Sequence, residues 1–233
     1  MMRIFFWRLS LSAIVLTIAF GTLLAQETTK PAVDVGVFIK ELLMTKVDAT
    51  QGQLALWLPY EFFVESASTM PGAKRGDIEK QFAAIKAYNV IIVECRSTGA
   101  DGKFVQGEAG ARARAVLKLA DGRTLSPITP MPEQIAVPVG EFKQEMAQTL
   151  GEDADNFHVL IFPGALPDGK PVVDVAKRGT LSLVLKADKS FSEANFSWRT
   201  PFDALTGPHT CARCHETVSG KWFFCPWCGT KIE

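Results

Sequence analysis

The sequence lacks an excess of charge of either sign, and it lacks the usual signatures of catalysis. Of 233 residues, 25 are Lys or Arg and 25 are Asp or Glu, so the formal net charge is +0. Such a balance supplies neither the basic excess of a nucleic-acid-binding protein nor an acidic tail. The motifs G-x-S-x-G, H-E-x-x-H, G-x-x-x-x-G-K-[ST] and G-x-G-x-x-G are also missing. We therefore expect no binding of nucleic acid, and we favour a non-enzymatic protein over an enzyme.

Histidine is scarce, and His158 is the only histidine ahead of the C-terminal tail. No Ser or Cys lies beside it in sequence as a nucleophile, so we expect a strand histidine satisfied by its neighbours. Cys95 ends an apolar run and is expected to be a buried small hydrophobe. The acids Glu152, Asp153 and Asp155 lack the periodic oxygen ligands of a calcium loop. A hydrolase with an unrecognised site in the body remains one alternative.

The first 25 residues differ in character from the rest of the chain. Arg3 and Arg8 precede an uncharged, apolar run from Leu9 to Ala25, which is typical of an export signal. The run is slightly short for a membrane span, which needs about 20 apolar residues. We predict that residues 1–25 are a signal peptide or, alternatively, an N-terminal membrane anchor, followed by a linker at 26–34. Both readings place the remainder outside the cytoplasm: periplasmic, secreted or anchored to the outer side of the membrane.

Residues 35–205 are expected to form one globular domain that is rich in strands. Alternating or continuous apolar residues predict strands at 54–58, 90–95, 112–119, 157–162, 180–186 and 195–198. Apolar residues at helical spacing predict helices at 35–46, 76–88 and 140–150. This pattern favours a mainly β (α+β) fold, an antiparallel sandwich or barrel-like body with two or three short helices.

Two details of the body bear on its function. In the 112–119 segment the alternation places Arg112 and Arg114 on the face directed mostly towards water. The stretch WLPYEFF at 57–63 concentrates aromatic residues more than a core strand alone requires. We expect these aromatics to pack in the core, with the lining of a groove as the alternative.

The tail, residues 206–233, contains two C-x-x-C pairs. Cys211 and Cys214 form the first pair, and Cys225 and Cys228 form the second after ten intervening residues. A structural zinc site takes four ligands in a closed tetrahedron, and each pair lets one tight turn present two sulfurs to the metal. Gly229 tolerates the left-handed backbone that directs N–H groups at sulfur.

Residues 211–231 resemble a zinc ribbon of the kind found at protein termini, whereas the body resembles no family that we recognise. The tail departs from the usual pattern by having His215 where glycine is common. The four cysteines predict one Zn²⁺ site with His215 outside the first coordination shell. Trp222, Phe223, Phe224 and Trp227 are expected to pack partly against the body or to mark a partner surface.

Two other states of the same cysteines stay open. Cys211, Cys214 and His215 spell C-x-x-C-H, the attachment signal of c-type haem. That hypothesis leaves Cys225 and Cys228 unexplained, and no Met follows His215 as a second axial ligand. Alternatively, an oxidising compartment favours disulfides. We therefore predict an exported or membrane-tethered, non-enzymatic domain with a zinc ribbon for stability or partner binding, and a redox or electron-transfer protein as the alternative.

Overall fold

The structure is a computed structural model, and it describes residues 33–99 and 102–232. The predicted export segment 1–25 and most of the predicted linker 26–34 lie outside the described residues. Within the described ranges, no helix is both long enough and apolar enough to cross a bilayer.

Six α-helices and eleven β-strands make up the described chain. The helices are α1 (Val35–Leu42), α2 (Tyr60–Ser68), α3 (Arg75–Gln81), α4 (Glu108–Arg114), α5 (Glu133–Leu150) and α6 (Asp203–Thr206). The strands are β1 (Leu43–Val47), β2 (Gln51–Leu58), β3 (Tyr88–Gly99), β4 (Gly102–Val105), β5 (Ala115–Lys118), β6 (Thr124–Leu125), β7 (His158–Pro163), β8 (Gly179–Leu185), β9 (Ala194–Thr200), β10 (His209–Thr210) and β11 (Thr217–Val218). Two 3₁₀ helices span Ala83–Ala87 and Gly151–Asn156.

The larger sheet has five strands and is organised around β3. Its order is β1-β2-β3-β4, with β7 also paired to β3, and every pair is antiparallel. Ile92 of β3 lies between Leu56 of β2 and Val159 of β7. Residues 90–95 are buried on both faces of the sheet, which confirms the internal strand that the continuous apolar run predicts.

The second sheet packs against the first to form a sandwich-like body. Its order is β6-β5-β8-β9, again with antiparallel pairs. Residues along β9 alternate between buried and exposed, so one face of the sheet meets the core and the other meets solvent. Trp198 of this face contacts Trp57 of the first sheet, with ring centroids 5.9 Å apart. The α+β class is confirmed, whereas the barrel-like alternative is wrong because neither sheet closes on itself.

The predicted number of helices, two or three, is too small for the described chain, which has six. The sequence pattern did not predict α2. This helix begins at Tyr60, directly after Pro59, and Pro59 follows the last residue of β2. Phe62 and Phe63 on α2 are buried, as is Trp57 at the end of β2. The expectation that the WLPYEFF stretch packs in the core is therefore confirmed for these three aromatics, whereas Tyr60 is only half-buried.

The predicted helices are present with altered limits. The helix predicted at 35–46 ends at Leu42, because Leu43 adopts an extended backbone and pairs with Leu56. The helix predicted at 140–150 begins earlier, at Glu133, and contains Pro138. It ends as predicted before Gly151, whose φ of 59° is in the region that favours glycine.

The strand predicted at 112–119 is half wrong. Its first residues belong to α4, and the strand β5 begins only at Ala115. An ion pair between Arg112 and Glu108, four residues apart, stabilises the helical turn. Arg114 does not face water as predicted, because it is only 4% exposed.

Candidate metal centre

The four tail cysteines converge on one point. Their Sγ atoms all lie within 4.8 Å of one another. Cys211 Sγ lies 3.6 Å from Cys228 Sγ, and Cys214 Sγ lies 3.6 Å from Cys225 Sγ. A tetrahedral zinc with Zn–S bonds of about 2.3 Å places its sulfurs about 3.8 Å apart. The cluster is therefore positioned to bind a metal ion and is compatible with Zn²⁺.

The two C-x-x-C turns share one backbone geometry. The His215 amide donates to the Cys211 carbonyl at 2.9 Å, and the Gly229 amide donates to the Cys225 carbonyl at 2.9 Å. His215 has a φ of 59° and Gly229 a φ of 71°, both left-handed. Among the described residues, His215 is the only non-glycine residue with a positive φ. His215 therefore occupies the position that glycine fills in the second turn.

Each turn is closed by a second backbone hydrogen bond. The Cys211 amide donates to the Glu216 carbonyl at 2.9 Å, and the Cys225 amide donates to the Thr230 carbonyl at 2.7 Å. The first turn is further closed by the antiparallel pairing of β10 with β11. These bonds fix the two sulfurs of each pair on the same side of a short hairpin, as a zinc ribbon requires.

The tail has its own small core, separate from that of the body. Four buried residues make up this core, and Cys214 and Cys228 pack against it. The four are Cys211, Val218, Cys225 and Ile232. Because only two of them are aliphatic, apolar burial alone contributes little to the stability of the tail.

Hydrogen-bond donors from the turns are directed at the sulfurs. The Cys214 amide lowers the pKa of the Cys211 thiol. The Thr230 hydroxyl, and after it the Thr230 amide, lowers the pKa of Cys228 to about 6. The Glu216 amide lowers the pKa of Cys214, but burial and the other three thiols together raise it to about 12. Thiolate ligands in metal sites are commonly held by such outer donors.

The left-handed backbone of His215 leads to a testable prediction. A side chain in this region costs about 1 kcal/mol or more relative to glycine. We therefore expect His215→Gly to strengthen zinc binding by about fivefold in competition with a chelator, because the metal holds this turn. Loss of metal in His215→Gly or His215→Ala would instead identify His215 as a ligand.

The equivalent position in the second turn provides the matched control. Gly229→Ala places a side chain in the same left-handed geometry, with no other heavy atom within 4 Å of the added Cβ. The substitution is therefore expected to weaken zinc binding by a similar factor for backbone reasons alone. Equal effects of the same sign at both positions would contradict the explanation.

The tail attaches to the body through the loop between its two turns. Lys221 forms an ion pair with Glu41 of α1. The Gly220 amide donates to Asp203 Oδ1 at 3.0 Å, and Arg178 Nε donates to the Gly220 carbonyl at 3.3 Å. These contacts hold the cysteine cluster at a defined place on the body.

The aromatic residues of the tail are largely exposed. Trp222 is 41% exposed, Phe223 61%, Phe224 62% and Trp227 68%. Phe223 contacts the body through Arg178, whose guanidinium carbon lies 5.3 Å from the ring centroid. We call these four residues the ribbon aromatics. We expected these residues to pack partly against the body or to mark a partner surface. Only Phe223 has such a contact with the body, and most of the aromatic surface is exposed to solvent.

The other candidate residues have structural roles. His158 is buried, with Nε2 2.6 Å from the Gln106 carbonyl oxygen. Cys95 is buried as expected, and burial raises the pKa of its thiol to about 11, so it is a poor nucleophile. Asp153 pairs with Arg96 at 3.2 Å. Within the described part of the chain, the four tail cysteines are the only group of three or more His, Cys, Asp or Glu residues close enough together to hold a metal ion.

The sequence indicated a cavity in the body only through the alternative that the WLPYEFF stretch lines a groove. A cavity of about 390 Å³ lies next to Trp57 and Tyr60 and also borders Lys86 and Asp174. The aromatic concentration in the sequence was a signal for its first two residues. Nothing in the sequence around Lys86 or Asp174 indicates that these residues border the same cavity as Trp57 and Tyr60.

Comparison with known proteins adds little to this description. No family model matches the chain, and no curated protein matches it. A crystal structure of a DUF4426 family protein from Pseudomonas aeruginosa is similar, with 14% sequence identity and a TM-score of 0.32, over 69% of this chain and 94% of that chain. This likeness carries no argument about function. The fold and the site define an α+β protein whose C-terminal tail carries four cysteines positioned to bind a metal ion.

Proposed function

We propose that this chain is an exported, non-enzymatic domain that carries a structural zinc ribbon, and that the ribbon contacts a protein partner. The observation that carries the proposal is the convergence of four Sγ atoms within 4.8 Å. Four sulfurs complete a zinc tetrahedron and leave no open position for water or substrate. The metal therefore maintains the shape of the tail and takes no part in catalysis.

The geometry supports zinc over the two alternatives. Haem attachment uses Cys211 and Cys214 but gives no role to Cys225, whose sulfur lies 3.6 Å from that of Cys214. A disulfide requires a sulfur–sulfur distance of about 2.05 Å, whereas the paired sulfurs are 3.6 Å apart. A redox or electron-transfer function through these cysteines is thus the less favoured proposal.

Elemental analysis of the purified chain tests the metal assignment. We expect about one zinc per chain, and we expect a chelator to release the metal together with four reactive thiols. Covalent haem, seen as a Soret band that survives denaturation, would overturn the proposal. A zinc-free protein with its tail cysteines oxidised would overturn it equally.

The ribbon aromatics support a role in binding a partner. Soluble proteins rarely leave several large apolar side chains exposed side by side unless the surface is used. Tryptophan and phenylalanine are enriched in protein interfaces, and tryptophan often contributes most to binding. Because the ribbon is anchored to the body by Glu41 and Lys221, it presents these rings in a fixed orientation.

Site-specific photo-crosslinking in cells tests this surface. A photoreactive residue at Phe224 or Trp227 is expected to give a discrete crosslinked product. The control position is Val137 on α5, which is 68% exposed and so matches Trp227 in exposure. The same products from Val137, or none from the ribbon positions, would contradict a partner surface.

Export rests on Arg3, Arg8 and the apolar run that follows them. Cell fractionation is expected to recover the protein outside the cytoplasm, soluble after cleavage of the signal and membrane-bound without it. Recovery of a soluble cytoplasmic chain that retains Met1 would overturn this part of the proposal.

A further inference from the structure

A second cavity in the body, of about 690 Å³, lies between the helices α2, α3 and α5. Its volume falls within the range of about 300–1,000 Å³ that is typical of small-molecule sites. The residues that α5 contributes are Pro138, Glu141, Phe142 and Glu145. Because their spacing is that of one helical face, α5 presents a single stripe of its surface to the cavity.

Phenylalanines from all three sides form an aromatic wall in this cavity. Phe62 and Phe63 of α2 are buried, whereas Phe82 and Phe142 are half-buried and therefore offer part of their surface to a ligand. The centroid of the Phe63 ring lies 5.5 Å from that of Phe82 and 6.4 Å from that of Phe142. These contacts hold the rings in place before a ligand binds. Such a wall accepts the apolar part of a ligand, and aromatic rings also attract cations.

Negative charge predominates at the rim of the cavity. Three exposed acidic residues border it: Asp77, Glu141 and Glu145. Lys74 is the only basic residue among the described residues that do so. A ligand with a positive charge therefore complements this rim, whereas a negatively charged ligand is repelled by it.

Two of these acids have no cation of their own. Asp77 lies 3.9 Å from Lys80, but neither Glu141 nor Glu145 forms an ion pair with another described residue. Glu141 and Glu145 are four positions apart on α5, and like charges at this spacing destabilise a helix. A cation placed between the two carboxylates relieves this repulsion. The aromatic wall beside them supplies the apolar contact that a dissolved metal or sodium ion does not use.

We propose that this cavity binds a small organic cation, an amine or a quaternary ammonium that carries an apolar group. The apolar group packs against Phe82 and Phe142, and the cationic nitrogen lies at the rim beside Glu141 and Glu145. A fatty acid or another anionic amphiphile is excluded by charge, because its head group would meet the same two carboxylates. The inference is independent of the function proposed above, because every residue that borders the cavity belongs to the body.

Calorimetric titration of the zinc-loaded full chain tests the ligand class. The probes are phenylbutylamine, its trimethylammonium analogue, phenylbutanol and phenylbutanoate, which share an apolar group and differ in charge. Both cations are expected to bind about tenfold more tightly than the alcohol, and the carboxylate more weakly than the alcohol. Added salt should narrow the difference between amine and alcohol, because the rim carboxylates are exposed. Absence of binding by both cations, or an alcohol that binds as tightly as they do, would refute the proposal.

Neutralising the rim separates recognition of charge from apolar packing. The double substitution Glu141→Gln and Glu145→Gln is expected to weaken binding of the amine by about tenfold and to leave binding of the alcohol unchanged. Glu133→Gln is the matched control, because Glu133 lies on the same helix and is exposed but does not border the cavity. This control should keep the full preference for the amine. Equal losses in the double variant and in the control would show a general attraction to acidic surface and would rule out the site.

Filling the cavity locates the binding. Ala67 on α2 borders the cavity, and Ala67→Met places a longer apolar side chain in the space that the ligand needs. The amine and the alcohol are both expected to bind at least about fivefold more weakly. Circular dichroism and the melting temperature check that the variant is folded, and Ser66→Met at the neighbouring position replaces it if it is not. Unchanged affinity for the amine in a folded variant of this kind would show that it binds elsewhere, against the proposal.

Discussion

Replacing Cys225 by serine is expected to release the metal and unfold the tail while the body stays folded. Zinc content should fall from about one per chain to nearly zero, because a tetrahedral site loses one of its four ligands. In small zinc domains the binding free energy, about 10–16 kcal/mol, is also the folding free energy. The tail core contains only Val218 and Ile232 besides cysteines, so little else holds the ribbon together.

The chain contains a natural control for this substitution. Cys95 is its fifth cysteine and lies buried in the body, away from the cluster. Cys95→Ser is expected to keep a full complement of zinc and to lower only the stability of the body. Elemental analysis and limited proteolysis of the tail distinguish the two variants. Full zinc content in Cys225→Ser, or loss of zinc in Cys95→Ser, would rule out the four-cysteine site.

The site was predictable because its geometry is local. In each C-x-x-C pair one turn sets the positions of two sulfurs, and the spacing of the pairs allows a short hairpin. The sequence also showed that His215 stands where zinc ribbons commonly have glycine, but it did not predict the backbone conformation of this residue. That residue adopts the left-handed backbone of Gly229, because the turn's hydrogen bonds require this geometry whatever side chain is present.

The strands were predictable for a similar reason, since a short apolar run or an alternation of apolar and polar residues appears directly in the sequence. The runs at 90–95 and 195–198 correspond to β3 and β9, and the alternation along β9 matches its burial. The pattern failed at residues 112–119, where a short helix runs directly into the strand β5. A helix of seven residues followed by a strand of four leaves too few residues for either period to be recognised.

The burial of Arg114 could not be predicted from local pattern, because distant segments supply its partners. Its guanidinium donates to Gln53 Oε1 at 2.9 Å and to the Ser192 carbonyl at 2.9 Å, residues 61 and 78 positions away. It also donates to Gln106 Oε1 at 2.8 Å and to the Lys186 carbonyl. Only a folded chain brings these acceptors together. The alternation therefore predicted that the Arg114 side chain faces solvent, although this side chain is part of the core.

This network leads to the largest stability effect expected in the body. Arg114→Met keeps a long side chain but leaves Gln106 Oε1 buried without its donor and leaves Gln53 Oε1 with only the Cys95 thiol at 3.7 Å. We expect the free energy of unfolding to fall by about 3–5 kcal/mol, as when one partner of a buried polar or ionic network is removed. Arg114→Lys should recover less than half of the loss, since an ammonium lacks the planar fork that reaches several acceptors.

Arg112→Met is the matched control, because Arg112 lies on the same helix but is partly exposed and pairs with Glu108. Arg112 also donates to the Ile128 carbonyl at 3.1 Å, so its cost is expected to be about 1–2 kcal/mol, for one hydrogen bond and one partly exposed ion pair. Urea denaturation followed by circular dichroism measures both variants, with equal slopes required for comparison. If Arg114→Met and Arg112→Met cost the same, the Arg114 network does not hold the two sheets together. A larger loss in Arg114→Met would show that polar contacts, added to the apolar contact of Trp57 with Trp198, join β2 to the segment that leads into β9.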